Sequence, residues 1–494
     1  MRVFVGILVI LQLCLTSCTN IENNNEKSDN HFFVFGGGYS AFGNQISLEK
    51  NVTYINSIMQ ENSPLSVTRL FADGREGSRS TQYILEDTYP NDFQKLIISC
   101  LGSTKRVSAQ YRPHILEDVQ GPLKRKEIDK YFAEQAGNFE KKDKLILYYT
   151  GHGGRGSKKA PQDTSILLWH DGSYKMKDFV KKLQALPVPT VCVMVQCFSG
   201  GFQNMVFKEG DPKKGLTEKP VCGFFSTVYS RVAAGCTSKI DDADYQEYST
   251  WFWAGLAGYN RQGKILEKPD YNKDGVVSFD EAHNYTLINL DSIDIPTKTS
   301  EIILRTYRPK KVPPLEITKL SELSVYLKFA DPGQKEVIKK LSVECGLTME
   351  SKILDLVSKL KTLSKKIKKR QLLSKSLKKT IIASRLKAGR AVRHLYPELY
   401  NPFHGDCRTI LESHEDDLKK GLSQNKDFMD YKAKYKKGIS FQEESYKIDR
   451  EFVVKQRLLL TMSNVLNEPY FLKHAKPDIV KAYLRVRNLE KGHL

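Results

Sequence analysis

The stretch VPTVCVMVQCFSGGF, Val188 to Phe202, decides how this chain folds. Its apolar residues run almost without interruption from Val191 to Val195, and a glycine-rich segment follows Gln196-Cys197. A strand with one wet face alternates apolar and polar side chains, whereas an unbroken run belongs to a strand buried on both faces, as in parallel sheets. Four other stretches read as strands: HFFVFGG (31–37), LSVTRLFA (65–72), KLILYYT (144–150) and GFFSTVYS (223–230). Between them lie helical patterns, at Ser47–Gln60, Lys124–Ala136 and Lys175–Leu186. Strands alternating with helices predict an α/β domain over residues 31–312, a mostly parallel sheet with helices on both faces.

Open parallel sheets bind ligands beyond the carboxyl ends of their strands. Two of the predicted strands end in reactive residues. KLILYYT runs into Gly151-His152-Gly153-Gly154, and TVCVMVQ runs into Cys197-Phe198-Ser199-Gly200-Gly201. If the two strands are neighbours, a thiol and an imidazole share one sheet edge. Histidine can then carry the proton and the thiolate can act as nucleophile. The glycines lack Cβ atoms, so backbone N–H groups can approach a substrate carbonyl and stabilise an oxyanion. Alone, each residue has a plainer reading: a cysteine after a strand is a small core residue, and a histidine among glycines is a loop residue. It is the conjunction that points to chemistry. Cys192 lies five residues back along the strand, facing the other side, and reads as packing.

The order apolar block–GHGG, then apolar block–QCFSGGF, resembles the cysteine peptidases that include legumain, caspases and gingipains, with bacterial legumain-like members most similar. The resemblance runs in order from about Phe32 to Lys311. It takes in FGGGYSAFGNQISLEKNV (35–52), TSILLWHDG (164–172) and FFSTVYSRVAAGCTSKIDDADYQEYSTWFWAGLAG (224–258). It implies a caspase/legumain-like fold and cysteine endopeptidase activity through a thioester acyl-enzyme. The implied dyad is His152 and Cys197, with the amides of Gly153 and Cys197 as the oxyanion hole. The family's pocket for the residue before the cut maps to Ser230–Gln246, which contains Cys236, Asp241, Asp242 and Asp244. Those carboxylates favour Arg or Lys by charge pairing; on a solvated loop they would select nothing. Legumain carries Arg-His-Gln in an early loop where this chain has Gly43-Asn44-Gln45, so asparagine specificity is not carried over, although Asn44 remains a candidate substrate contact. An aspartate preference would need converging arginines, for which Arg75, Arg79 and Arg231 are available. A different fingerprint, the dinucleotide-binding glycines, fails here, because Ala41 stands at the third glycine position after Gly36 and Gly38.

DYNKDGVVSFDE, Asp270 to Glu281, fills a twelve-residue calcium loop position by position. Asp270, Asn272 and Asp274 stand at positions 1, 3 and 5, with Gly275 at the sharp turn. The Val276 carbonyl, Ser278 and Glu281 follow at 7, 9 and 12. A helix can leave the loop at Glu281, but RQGKILEKP, which enters it, is a poor helix. The expectation is structural Ca²⁺ on a loop without a full helix pair, and no cofactor is required for the chemistry itself.

The two ends of the chain carry other signals. MRVFVGILVILQLCLTSC (1–18) has Arg2 as its only charge, then an apolar run, which reads as a signal peptide over residues 1–17. Leu15-Thr16-Ser17-Cys18 resembles a bacterial lipobox, with Cys18 as the lipid-carrying residue. That implies an exported lipoprotein held at a membrane, the alternative being a free secreted protein. NIENNNEKSDN (20–30) suits a tether. From residue 313 to 494 the composition turns to Lys, Leu and Ser, and Ile353, Leu356, Leu360, Leu363 and Ile367 repeat at helical spacing. Lys359–Lys379 holds ten basic residues and no acidic one. Such a run is a solvated helix face or a surface for anionic lipid or polyanion. Without interleaved aromatics it does not make a stacking platform for nucleic acid. The whole chain has a formal net charge of +20, which favours anionic partners. Its nine cysteines are too sparse and irregular for a disulfide scaffold or a zinc site. Two other functions fit the same residues: a ligase or transpeptidase that passes the acyl group to an amine, and a non-catalytic scaffold that binds anionic partners through its helices.

Overall fold

The computed structural model describes residues 30–62, 64–74, 77–85, 89, 91–102, 104–241, 245–308 and 321–494. The signal segment, Cys18 and most of the tether lie outside them, as does the 312/313 boundary. The central sheet has six strands: β1 (Asn30–Gly37), β2 (Ser66–Phe71), β3 (Lys144–Gly151), β4 (Thr190–Val195), β5 (Val221–Phe225) and β6 (Thr297–Lys298). Their order is β6-β5-β4-β3-β1-β2, all parallel except the short β6, which runs antiparallel to β5. The chain is therefore α/β with a mostly parallel sheet, as its unbroken apolar runs predict. One expected strand stops early: β5 ends at Phe225 instead of reaching Ser230. Beyond Phe225 the hydroxyl residues bond into the loop after β4, where the Ser199 hydroxyl donates to the Thr227 carbonyl and meets the Ser226 hydroxyl, so the backbone leaves the ladder.

The principal helices are α1 (Ile46–Asn62), α2 (Asp92–Leu101), α3 (Arg125–Gln135), α4 (Met176–Leu183), α5 (Tyr248–Ala257), α6 (Phe279–Asn289), α7 (Thr299–Thr306), α8 (Pro332–Glu344), α9 (Ile353–Leu395), α10 (Lys426–His474) and α11 (Pro477–Glu490). On one face of the sheet, Phe33 stacks on Tyr131 and meets Phe132 of α3, and Phe35 stacks on Phe179 of α4. On the other, Tyr148 of β3 meets Trp253 of α5 edge-on, and Phe224 of β5 packs against Phe252 of α5 and Phe279 of α6. Both faces are thus sealed by aromatic packing, whose large buried area dominates core energetics.

The C-terminal helices are part of this body. Phe471, Tyr483 and Val486, from the end of α10 and from α11, complete the core of the sheet domain. Helices α9 and α10, each several tens of ångströms long at about 1.5 Å per residue, pair along their lengths and are anchored at both ends. One end packs with α8 and Leu287 of α6, the other with Leu96, Ile97 and Ile98 of α2. Between these anchors the pair passes the loop that follows β5: Arg231 and Asp449 form an ion pair at 2.6 Å.

Candidate active site

The direction of winding reverses between β1 and β3, and the crevice at such a switch point is where doubly wound sheets take their ligands. Registers place His152 at the edge of that crevice, after β3, and Cys197 one strand further on, after β4. Gly37 of β1 lies level with Gly151, and Thr150 of β3 lies level with Val195 of β4, so His152 and Cys197 leave the sheet side by side. The backbones touch: a Cβ on Gly153 would fall 1.9 Å from the Cys197 carbonyl oxygen. Only glycine fits there, and the residue expected to supply an oxyanion donor is fixed against the Cys197 backbone. Phe198, directly after Cys197, has φ 63°, a left-handed conformation that costs a bulky residue of order 1 kcal/mol and turns the chain sharply away after the cysteine.

His152 is held through its ring. Nε2 sits 2.6 Å from the Gly43 carbonyl and 3.2 Å from Gln45 Oε1, both acceptors, so Nε2 carries the proton and Nδ1 is left as the base. Tyr39 meets the ring edge-on with centroids 5.3 Å apart. Burial pushes the imidazole below its usual value, opposed by the Gly43 carbonyl, which favours the charged form. The free nitrogen faces a thiol at 3.8 Å, and that thiol belongs to Cys236. Cys236 has φ 58°, a second left-handed residue, and burial raises its thiol far above the usual range.

Cys197 Sγ accepts a hydrogen bond from Ala233 N–H at 3.4 Å and lies 3.9 Å from the Ala233 carbonyl. Burial raises its pKa; the Ala233 contact opposes the rise, while the Asp294 carboxylate adds to it. Both shifts favour the neutral thiol and the neutral imidazole over the ion pair. Asp294 itself is fully buried: Oδ1 accepts from Ala234 N–H at 2.7 Å, and Oδ2 has no partner among the described residues. Burial pushes its carboxyl up to about 7, against the Ala234 N–H and Arg457. Arg457 of α10 donates to the carbonyls of Leu290, Ser292 and Asp294, so a C-terminal helix fixes the loop that supports the Ala233-Ala234 segment. Neither Asp294 nor Arg457 is marked by any local sequence motif.

The other expected contacts are placed unevenly. Asn44 is 0 % exposed; its Oδ1 accepts from Gly38 N–H, and its amide donates to the Ser80 carbonyl and Thr81 hydroxyl. It shapes the loop that carries Gly43 and Gln45 and does not reach a substrate in this conformation. Ser230 is exposed and lines a cavity of about 490 Å³ beside the C-terminal helices. Cys236 lines another, of about 620 Å³, with Gln45, Gln82, Ser108 and Arg106. No carboxylate stands among that cavity's described lining residues; Asp241 is exposed outside it, and Asp242 and Asp244 lie outside the described residues. The expected source of a basic preference is therefore absent from the described wall. Arg79 is exposed and Arg231 is committed to Asp449, while Arg75 lies outside the described residues.

The 270–281 segment forms a turn followed by a helix. Gly275 takes φ 92°, Asp270 accepts from the N–H groups of Asp274 and Gly275, and α6 begins at Phe279, two residues before the expected start. The donors are hard oxygens, which suits Ca²⁺. Glu281 spends both oxygens within the loop, on the N–H groups of Tyr271 and Asn272 and on Ser278, in a capping box for α6. Among the described residues no group of three or more His, Cys, Asp or Glu side chains converges closely enough to hold a metal in this arrangement. Likewise no described helix is long and apolar enough to cross a membrane.

No protein-family model matches the chain, and no curated protein matches it in sequence. Among solved structures, protein GSU0716 from Geobacter sulfurreducens is similar at a TM-score of 0.30 and 12% identity, over 51% of this chain and 88% of that one. A likeness that weak carries no argument, and the functional reading rests on the site.

Proposed function

We propose that the protein is a cysteine endopeptidase of caspase/legumain-like fold, with Cys197 as nucleophile and His152 as proton carrier. The observation that carries this reading is the side-by-side exit of His152 and Cys197 from β3 and β4, with Gly153 against the Cys197 backbone and His152 Nδ1 left unprotonated. From the neutral pair, Nδ1 takes the thiol proton as sulfur attacks the peptide carbonyl. The amides of Gly153 and Cys197 receive the developing oxyanion. The C–N bond breaks as His152 returns the proton to the departing amine, leaving a thioester. Water, deprotonated by His152, then hydrolyses the thioester to a carboxylic acid and restores the thiol.

The 270–281 loop takes Ca²⁺ in a bracing role, through Asp270, Asn272, Asp274, the Val276 carbonyl, Ser278 and Glu281. The chain is exported and anchored at a membrane through a lipid on Cys18. The enzyme reading is tested by incubating the full chain with a peptide library and repeating the assay with Cys197→Ala. Hydrolysis that disappears in the variant supports it, and full hydrolysis by the variant overturns it.

A further inference from the structure

We propose that the cavity between the loop after β5 and the α9–α10 pair is a binding site for an acidic side chain of a polypeptide substrate, at a residue other than the one at the scissile bond. The proposal rests on the peptidase reading and extends it by assigning the C-terminal helices a part in substrate recognition.

Three observations carry it. The cavity, about 490 Å³, is joined to the dyad through Phe198, which two of its wall residues contact. Its wall residue Arg155 lies over the Phe198 ring at 5.0 Å, and its wall residue Arg231 accepts the Phe198 N–H on its carbonyl at 2.8 Å. Phe198 is covalently joined to Cys197, so whatever fills the cavity lies within a few residues of a bond held at the thiol.

The second observation is charge. The lining holds three arginines, Arg155, Arg231 and Arg370, against one carboxylate, Asp449. Arg231 is paired with Asp449, and Arg370 is held by Glu444, the Ser445 hydroxyl and the Phe441 carbonyl. Arg155 is exposed and makes no ion pair with a described carboxylate. A guanidinium placed over an aromatic ring and free of ion pairs can give two N–H groups to an incoming carboxylate. The rest of the wall, Val232, Ile293, Ile367 and Tyr446 among it, suits the apolar stem and backbone of a peptide better than a small free anion.

The third is the approach. Lys365, Lys366, Lys368 and Lys369 flank Ile367 and Arg370 on α9 and are exposed. A one-signed field leading to a cleft raises the local concentration of chains of opposite sign. The basic run thus lies on the helix that builds the cavity's far wall, and steering an acidic polypeptide to that wall gives it a use.

Binding is measured with the full chain carrying Cys197→Ala, by fluorescence anisotropy of two labelled peptides that differ only in Glu against Gln at the scanned position. At one position the Glu peptide is expected to bind about tenfold tighter, the equivalent of one charge-assisted hydrogen bond. Adding Arg155→Gln is expected to remove most of that difference. The double change Lys366→Gln/Lys369→Gln, outside the cavity wall, is expected to weaken both peptides and to leave most of the ratio in place. Equal binding of the two peptides at every position overturns the proposal. So does a Glu preference that survives Arg155→Gln, or one that vanishes with the two lysines instead. Because the protein measured cannot turn over, a chain that cleaves nothing refutes the peptidase reading without deciding this result.

Discussion

Two thiols compete for one imidazole at this site. The free nitrogen of His152 points to Cys236 at 3.8 Å, whereas Cys197 is held by Ala233. Position and electrostatics favour Cys197 as nucleophile. It follows β4 directly, packs against Gly153 and has an N–H donor on its sulfur, while the Cys236 thiol is raised further by burial and by the neighbouring thiol. The imidazole sets a testable pH limit. Burial lowers its pKa from 6.5, so the base stays neutral into more acidic solution than a free histidine would. The acid limb of kcat/KM is expected to have its midpoint below 6.5; a midpoint above it would mean that an anion holds the imidazole charged. Of these residues, His152, Cys197 and Gly153 were legible because strand ends followed by glycine are a local pattern. The acceptor role of Gly43 and the support from Asp294 depend on chain segments more than 100 and nearly 100 residues away, as about 109 and 97 positions separate them from the dyad residue they serve. Asn44 was misplaced for a related reason: a polar residue in a loop reads as available, but this one is consumed by loop hydrogen bonds.

At the scale of elements, two loops carry separable predictions. The 270–281 loop already has its turn, so calcium needs to recruit Glu281 from its capping bonds. At a calcium concentration 100 times Kd, stabilisation by about 2.7 kcal/mol is expected, read as a rise in melting temperature that Asp270→Asn removes. No calcium-dependent shift in the unmodified chain would refute the site. The loop beneath Ala233-Ala234 is predicted to be pH-sensitive. Asp294 is raised from 3.8 to about 7 in the folded state, so folding there keeps a proton that the unfolded chain releases. The stability it contributes is complete below pH 3.8 and is lost as pH rises to about 7, at up to about 1.4 kcal/mol per pH unit. Denaturation of Asp294→Asn should lack this slope; an unchanged slope would place the titrating group elsewhere. The strands were readable as elements because unbroken apolar runs leave little choice. The end of β5 was not, since its apolar and hydroxyl residues keep the look of a strand after the ladder has ended.

The whole molecule is less divisible than its composition suggests. The change to a basic, glycine-poor sequence after Pro313 marks a separate region on the page, yet Tyr483 and Val486 sit in the core of the sheet domain. Arg487 of α11 is buried with Asp280 and Glu490, and Lys298 of β6 pairs with Asp280 in the same cluster. Removing α11 would take Arg487 from Asp280 and Glu490 from Lys298 and would open an apolar hole where Tyr483 and Val486 sit. A chain ending at residue 476 is therefore expected to lose its cooperative thermal transition or to melt well below the full chain; an unchanged melting temperature would contradict this arrangement. Composition could not show it, because burial of a cationic helix depends on carboxylates distant in sequence.

The most direct measurement of the central claim compares peptide cleavage by the unmodified chain, Cys197→Ala and Cys236→Ala. The account predicts that Cys197→Ala loses hydrolysis by at least about a thousandfold, the scale on which removing a nucleophile acts, while Cys236→Ala keeps it within about tenfold. Full activity in Cys197→Ala, or loss confined to Cys236→Ala, would contradict the account and move the nucleophile to the thiol that His152 already faces.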